Sequence, residues 1–315
     1  MAIERICVVG AGAIGGLYAG HLARVSDVTV LTRRPEQAAA LNEAGLRVSG
    51  KSDLRARVTA SHEPEGIDDV DVAIVACKAV DLPQTAARLK GSFRRAAVMT
   101  VQNGLGAEEV VRKHGEWPLI SAVTFMSGTR RSDTHVEYEL DTATWMGPYM
   151  GGGPPYETVQ ELEALLIEGG LEAEAMPDLR PAQWSKLIFN AAVNGVAALT
   201  HLPHVRAFAE EDEFADLGHL LRGLIDEGKA VAEAAGVELH DDPWEMNVRA
   251  VTHGETLRSD YAHIPSMLAD VRARRPTEVD YISGALAREG GRLGVPTPLN
   301  TAIYRLIKAK ESSWR

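Results

Sequence analysis

The sequence predicts an α/β protein: a doubly wound, largely parallel sheet in its N-terminal part and an all-α domain after it. Three features carry that expectation. Short apolar runs alternate with helix-length stretches up to about residue 150, the pattern of strands buried on both sheet faces and joined by helices. From Tyr156 onward the strand signal fades and helical periodicity dominates. A chain of 315 residues also exceeds one typical core, so two domains are expected.

Taken in order, Ile3–Val9 is a short apolar strand that runs into Gly10-Ala11-Gly12-Ala13-Ile14-Gly15, followed by an Ala/Leu-rich helix over about Ile14–Arg24. Asp27–Leu31 is the second strand and Glu36–Ala44 the second helix. Leu46–Val48 and Leu54–Val58 form two short strands about a turn at Gly50–Asp53. Asp71–Cys77 and Ala96–Val101 are buried strands with helical Leu82–Leu89 between them, and both cysteines, Cys7 and Cys77, fall in such strands. Leu119–Met126 is a further strand, and Val136–Leu140 with Thr142–Met146 reads as an antiparallel pair. Helices are expected at Tyr156–Ile167, Pro181–Leu199, Glu211–Ala235, Pro243–Leu257, Ser266–Arg272, Thr277–Gly290 and Thr297–Lys310. The turn signal Met176-Pro177-Asp178 sets the boundary, giving domains 1–177 and 178–315.

The glycine run gains meaning from its setting between a strand and a helix. Gly10 suits a tight turn, Gly12 lets the backbone approach a pyrophosphate, and Gly15 lets helix and strand pack closely. The phosphates then meet the amides and positive dipole of the helix N-terminus, the Rossmann-type arrangement. At the end of the second strand, where an NAD-binding chain places an acid, this one has Leu31-Thr32-Arg33-Arg34. A guanidinium forks onto a 2′-phosphate that a carboxylate repels, so the expected cofactor is NADP(H), with Arg33 as its contact.

Composition excludes several classes. A formal charge of −11 argues against nucleic acid as a partner, so any anionic substrate must meet local cations. Two cysteines without ligand or disulfide spacing fit a reducing cytoplasm. Ile3–Val9 is too short to span a bilayer and carries Glu4 and Arg5, so neither a signal peptide nor a membrane helix is expected.

The segment Gln183–Leu199 is apolar nearly all round, the mark of an interior helix. Lys186, Asn190 and Asn194 nonetheless recur at every fourth residue and make one polar stripe. Either the stripe is a solvated seam, or its asparagines bond to backbone, or the helix lines a cleft and presents a proton donor with two orienting amides. A lysine in a partly dry site has its pKa lowered towards the range of a general acid. Two predicted strands end in polar residues, Cys77-Lys78 and Gln102-Asn103-Gly104, at the sheet end where α/β proteins bind ligands; a solvated lysine and a plain turn pair are equally consistent. Ser266 stands where an N-cap is expected. Glu278 falls in the first turn of a predicted helix, where dipole preference alone explains an acid. His201, His204 and His253 show no ligand spacing and read as surface or loop residues, and no metal site is evident.

Together these segments resemble the ketopantoate reductase family. The resemblance runs essentially end to end and rests on Gly10–Gly15, Cys77-Lys78-Ala79, Gln102-Asn103-Gly104-Leu105-Gly106, Trp184-Ser185-Lys186-Leu187 with Asn190 and Asn194, Ser266-Met267-Leu268-Ala269-Asp270, and Thr277–Gly284. It implies a Rossmann domain joined to an all-helical domain, an active site between them, and NADPH-dependent reduction of 2-oxopantoate to (R)-pantoate on the way to pantothenate and coenzyme A. By position it makes Lys186 the general acid and Glu278 the acid that binds substrate and orders the site. Asn103, Asn190, Asn194 and Ser266 become polar groups around cofactor and substrate. Lys78 lies near the nicotinamide, Gly10, Ala11, Gly12, Ala13, Ile14 and Gly15 hold the pyrophosphate, and Arg33 meets the 2′-phosphate.

Two departures stand out. The family often has asparagine three residues before the serine matching Ser266, and here His263 stands there, on the substrate side. Ser132–Val136 also lacks the Pro/Gly turn expected before its strand. A related 2-oxo acid reductase with a branched or aromatic substrate, a β-hydroxyacid dehydrogenase, and a non-catalytic NADPH sensor on the same scaffold stay open. Oligomeric state is not legible; a homodimer through the helical half is one arrangement.

Overall fold

A computed structural model describes residues 3–67, 69–212, 215–252 and 263–314. The chain divides into two compact units, residues 1–102 with 107–179, and residues 103–106 with 180–315.

The first unit runs β1 (Arg5–Val9), α1 (Ala13–Leu22), β2 (Asp27–Leu31), α2 (Pro35–Ala44), β3 (Leu46–Gly50), β4 (Leu54–Ala56), β5 (Thr59–Ser61), β6 (Val72–Val75), α3 (Leu82–Arg88), β7 (Ala97–Thr100), α4 (Ala107–Arg112), β8 (Leu119–Thr124), β9 (Ser127–Ser132), β10 (His135–Leu140), β11 (Thr144–Pro148), α5 (Tyr156–Glu168) and β12 (Ala173–Ala175). Its main sheet has the order β12-β11-β8-β7-β6-β1-β2-β5, parallel from β5 through β8, with β11 antiparallel against β8. This is the doubly wound order expected, with the chain reversing direction across the sheet beside β1. Side-chain alternation explains the unbroken apolar runs. Ile6, Val8 and Ile74 enter one core, while Cys7, Val9 and Val75 enter another on the opposite face.

A second sheet, β4-β3-β10-β9, packs on α1. The helix can lie that close because its outer face is glycine. A Cβ at Gly16 would stand 2.5 Å from Val136 Cγ2, and one at Gly20 would stand 2.7 Å from Val48 Cγ2. The expected antiparallel pair of 136–140 with 142–146 is corrected here. β10 pairs with β9 and β3 in the small sheet, whereas β11 pairs with β8 in the large one. The unread partner is β9, Ser-Gly-Thr-Arg-Arg-Ser, which has no apolar alternation. Its turn to β10 is Asp133-Thr134 rather than Pro/Gly, braced by Arg34 and Arg130 on the Asp133 carboxylate. Cys77 is also corrected: it lies beyond the end of β6 and is half-buried. Gln102 Nε2 closes that strand end, donating to the carbonyls of Val75 and Cys77 at 2.7 and 2.9 Å.

The second unit is helical: α6 (Arg180–Thr200), α7 (Asp216–Ala234), α8 (Pro243–Thr252), α9 (Ser266–Arg272), α10 (Ser283–Leu293) and α11 (Pro298–Ser312). α6 is its axis, packed by α7, α8, α9, α10 and α11, with Leu187, Ile188, Ala191 and Val196 in the core. Residues 253–257 of one expected helix, and His253 with them, lie outside the described residues. The helix expected from Thr277 begins only at Ser283, with 277–282 forming a non-helical turn.

Substituting Gly16 by alanine forces a methyl into the Val136 side chain. Overpacking of this kind costs about 1–3 kcal/mol, and thermal or urea denaturation should show the loss.

Candidate active site

The polar stripe of α6 is buried rather than a solvated seam: Lys186 is 5%, Asn190 7% and Asn194 6% exposed. Lys186 Nζ donates to Asn103 Oδ1 at 2.8 Å, and Asn103 Nδ2 donates to Glu278 Oε2 at 3.0 Å. The amide has one orientation in this chain of contacts, because an ammonium only donates and a carboxylate only accepts. Burial lowers the lysine pKa from 10.5 to about 8, with the Glu278 charge pulling back towards the protonated form. The result is a cation at neutral pH that gives up a proton more readily than a surface lysine. Asn190 and Asn194 stand one and two turns further along the same buried stripe.

Asn103 reaches this position through its neighbour. Gly104 has φ 97°, and a Cβ there would lie 2.0 Å from the Tyr281 carbonyl oxygen. Leu105 N–H donates to that same oxygen at 3.0 Å. The Asn-Gly pair is thus a turn and a functional pair together. Glu278 does not sit in the first turn of a helix, which corrects the dipole reading. Its segment spends backbone groups on contacts outside itself, Tyr281 on Leu105 and Thr277 on Glu311.

Ser266 and His263 are exposed. Ser266 is the first residue of α9 and Pro265 is the N-cap, with no side-chain capping bond, so the capping expectation is not met. The surface reading of His204 is overturned. Its side chain is buried, its Nε2 lies 2.9 Å from Asn247 Oδ1, and its backbone bridges His263 in both directions. Asn247 Nδ2 donates to the Phe208 carbonyl, so its oxygen must accept and His204 carries the proton on Nε2. Burial lowers the His204 pKa to about 4. His201 is exposed, with φ 62° and Lys310 Nζ at 2.7 Å from its Nε2.

In the other unit, Gly10 has φ 103°, and its N–H donates to Leu31 O at 2.8 Å. A Cβ at Gly15 would stand 1.8 Å from the Gly10 carbonyl oxygen, whereas a Cβ at Gly12 would meet nothing within 4 Å. Gly12 caps the N-terminus of α1 without a side-chain bond, leaving the first-turn amides uncapped from that residue. Such an open N-terminus fits a pyrophosphate. Arg33 is exposed at the end of β2, 3.6 Å from the Asp81 carboxylate. It borders a cavity of about 350 Å³ together with His62, Glu63, Pro64, Glu65 and Arg88. Lys78 is exposed where the chain enters the short turn Ala79–Asp81. Sequence reasoning missed Asp81, His62 and Arg88 beside Arg33, since nothing in their spacing connects them. Among the described residues no cluster of His, Cys, Asp or Glu is arranged to hold a metal ion. No helix there is long and apolar enough to cross a membrane.

Comparison with known proteins gives a consistent picture. The family profile "Ketopantoate reductase PanE/ApbA" matches residues 6–151, and its C-terminal counterpart matches residues 178–311. A 2-dehydropantoate 2-reductase from Archaeoglobus fulgidus is 30% identical over 312 residues, 99% of each chain. A PanE/ApbA family ketopantoate reductase from Ralstonia eutropha JMP134 superimposes with a TM-score of 0.85 at 27% identity, covering 98% of this chain and 99% of that one. A D-mandelate dehydrogenase in complex with NADH and anilino(oxo)acetate shares the fold, with a TM-score of 0.85 at 23% identity and the same coverage. With both family profiles matched in order and full-length relatives beside them, this chain belongs to the ketopantoate reductase family of oxidoreductases.

Proposed function

We propose that the protein reduces 2-dehydropantoate to (R)-pantoate with NADPH, a cytoplasmic step of pantothenate and coenzyme A biosynthesis. The observation that carries this reading is a buried ammonium, Lys186, tied through Asn103 to Glu278 and sharing its buried helical stripe with Asn190 and Asn194. In this reading residues 1–177 hold the cofactor and 178–315 the substrate and the proton donor. The relatives named 2-dehydropantoate 2-reductase support the substrate, and the strand-end Arg33 in place of an acid supports NADPH.

The open N-terminus of α1 holds the pyrophosphate, Arg33 the 2′-phosphate, and Lys78 the nicotinamide side. When bound, the reduced nicotinamide supplies a hydride to the ketone carbon of the 2-oxo acid. Lys186 binds the ketone oxygen, offsets the negative charge that grows there, and gives it the proton that completes the alcohol. Asn103 and Glu278 keep that amine charged and directed, while Asn190 and Asn194 orient the substrate oxygens. Ser266 and His263 contribute on the substrate side. His263, where relatives often have asparagine, favours a second reading in which the substrate is another branched or aromatic 2-oxo acid. NADPH oxidation followed at 340 nm across a panel of 2-oxo acids decides between them; turnover of none of the panel would defeat both.

Lys186→Ala should lower kcat by about 10²–10⁴ with NADPH affinity unchanged. Burial holds the folded-state amine at about 8 against 10.5 in the unfolded chain. Below pH 8 both states are protonated and the buried charge costs stability; the cost fades as pH rises from 8 to 10.5. Lys186→Met should therefore be inactive yet melt at or above the wild-type temperature at pH 7, the difference shrinking towards pH 10.

Arg33→Ala should raise the Kd of NADPH far more than that of NADH, measured by fluorescence titration. Equal weakening would remove Arg33 from the 2′-phosphate. Gly12→Ala, which meets no protein atom, should weaken both cofactors with little change in Tm.

A further inference from the structure

The turn that carries Glu278 is clamped by the last helix of its own unit. Thr277 gives both its backbone N–H and its hydroxyl to one oxygen of Glu311, at 2.8 and 2.6 Å. Lys308 Nζ lies 3.1 Å from the other Glu311 oxygen and donates to Asp280 at 2.8 Å. The Tyr304 hydroxyl donates to the second Asp280 oxygen at 3.0 Å. Positions 304, 308 and 311 fall on one face of α11, so a single helical stripe grips the turn at Thr277 and at Asp280. Thr277 is 1% exposed, and the Glu311 side chain 14%. Glu311 stands in the last turn of α11, where the helix dipole disfavours an acid. Its presence there is explained by the contact to Thr277, not by local preference.

We propose that Thr277 and Glu311 are positioning residues for the reaction: their two-point hydrogen bond fixes the 277–282 turn so that Glu278 meets Asn103 and, through it, Lys186. The inference rests on the reading of Lys186 as proton donor. It follows from the wiring: the turn offers Glu278 to Asn103 and the Tyr281 carbonyl to Leu105, so a displaced turn releases two anchors of the 103–106 loop. On the helices packed around α6, Lys229 pairs with Asp242, Arg249 with Asp241, and Asp270 with Arg275. Lys308 pairs with Asp280 and Glu311, and among the described residues Glu278 is the charge that favours the protonated Lys186 amine.

The test is the kcat–pH profile of the intact enzyme at saturating substrates for wild type, Thr277→Val, Thr277→Ala and Thr277→Ser, with Tm measured for each. Loss of a hydrogen bond to a charged group should lower kcat about tenfold in the valine and alanine variants. Their alkaline limb should move to lower pH, because Glu278 no longer favours the charged amine. Serine, which keeps the hydroxyl, should restore both rate and limb. Alanine serves where valine fails to fold. A limb that stays at the wild-type pH in the valine or alanine variant, whatever the Tm, overturns the proposal, as does a serine variant that fails equally. If Lys186→Ala retains turnover, the parent reading falls and this one with it. An inactive Lys186→Ala beside an unmoved limb overturns this proposal alone.

Discussion

A cation inside an apolar helix is the constraint around which the helical unit is built. Desolvation disfavours the charged form of Lys186, and an unpaired ammonium there would deprotonate or expel the helix. One carboxamide and one carboxylate answer that cost in series, the ammonium donating to the amide oxygen and the amide nitrogen to the carboxylate. Several otherwise odd local features follow from it. Gly104 approaches Tyr281 because Asn103 must reach the amine, and residues 277–282 stay out of the helix because Glu278 must face Asn103. An acid at the wrong end of α11 belongs to the same arrangement.

The sheet unit is governed by space instead of charge. α1 lies between two sheets, and its glycines admit them: Gly15 towards the strand turn, Gly16 and Gly20 towards β10 and β3. Of the three glycines in the motif, Gly10 and Gly15 are demanded by backbone conformation and packing. Gly12 is demanded by neither, and in the proposed function the approach of a pyrophosphate is its physical reason.

Much of this was legible in the residues. Strands buried on both faces announce themselves as apolar runs, and the stripe at 186, 190 and 194 is visible because its period is that of a helix turn. What stayed hidden depends on distant partners. Asn103 meets Lys186 across 83 residues and Glu278 across 175, so no local pattern joins them; only the family resemblance grouped them. β9 escaped because an edge strand held by ion pairs such as Arg131–Glu137 carries no hydrophobic alternation. His204 read as a surface residue because its burial comes from Phe189, Phe208 and Asn247 on other elements. The helix start near 277 was misplaced because tertiary contacts override first-turn preference there.

The assignment of residues 103–106 to the helical unit has an evolutionary reach. The acceptor of the Lys186 amine is encoded between two stretches of the sheet unit, well upstream of the point at which the chain turns wholly helical. Recombination that exchanged the C-terminal half as a cassette would import a lysine and leave behind the residue matched to it. A graft of residues 180–315 alone would therefore part Lys186 from the amide oxygen that accepts its hydrogen bond.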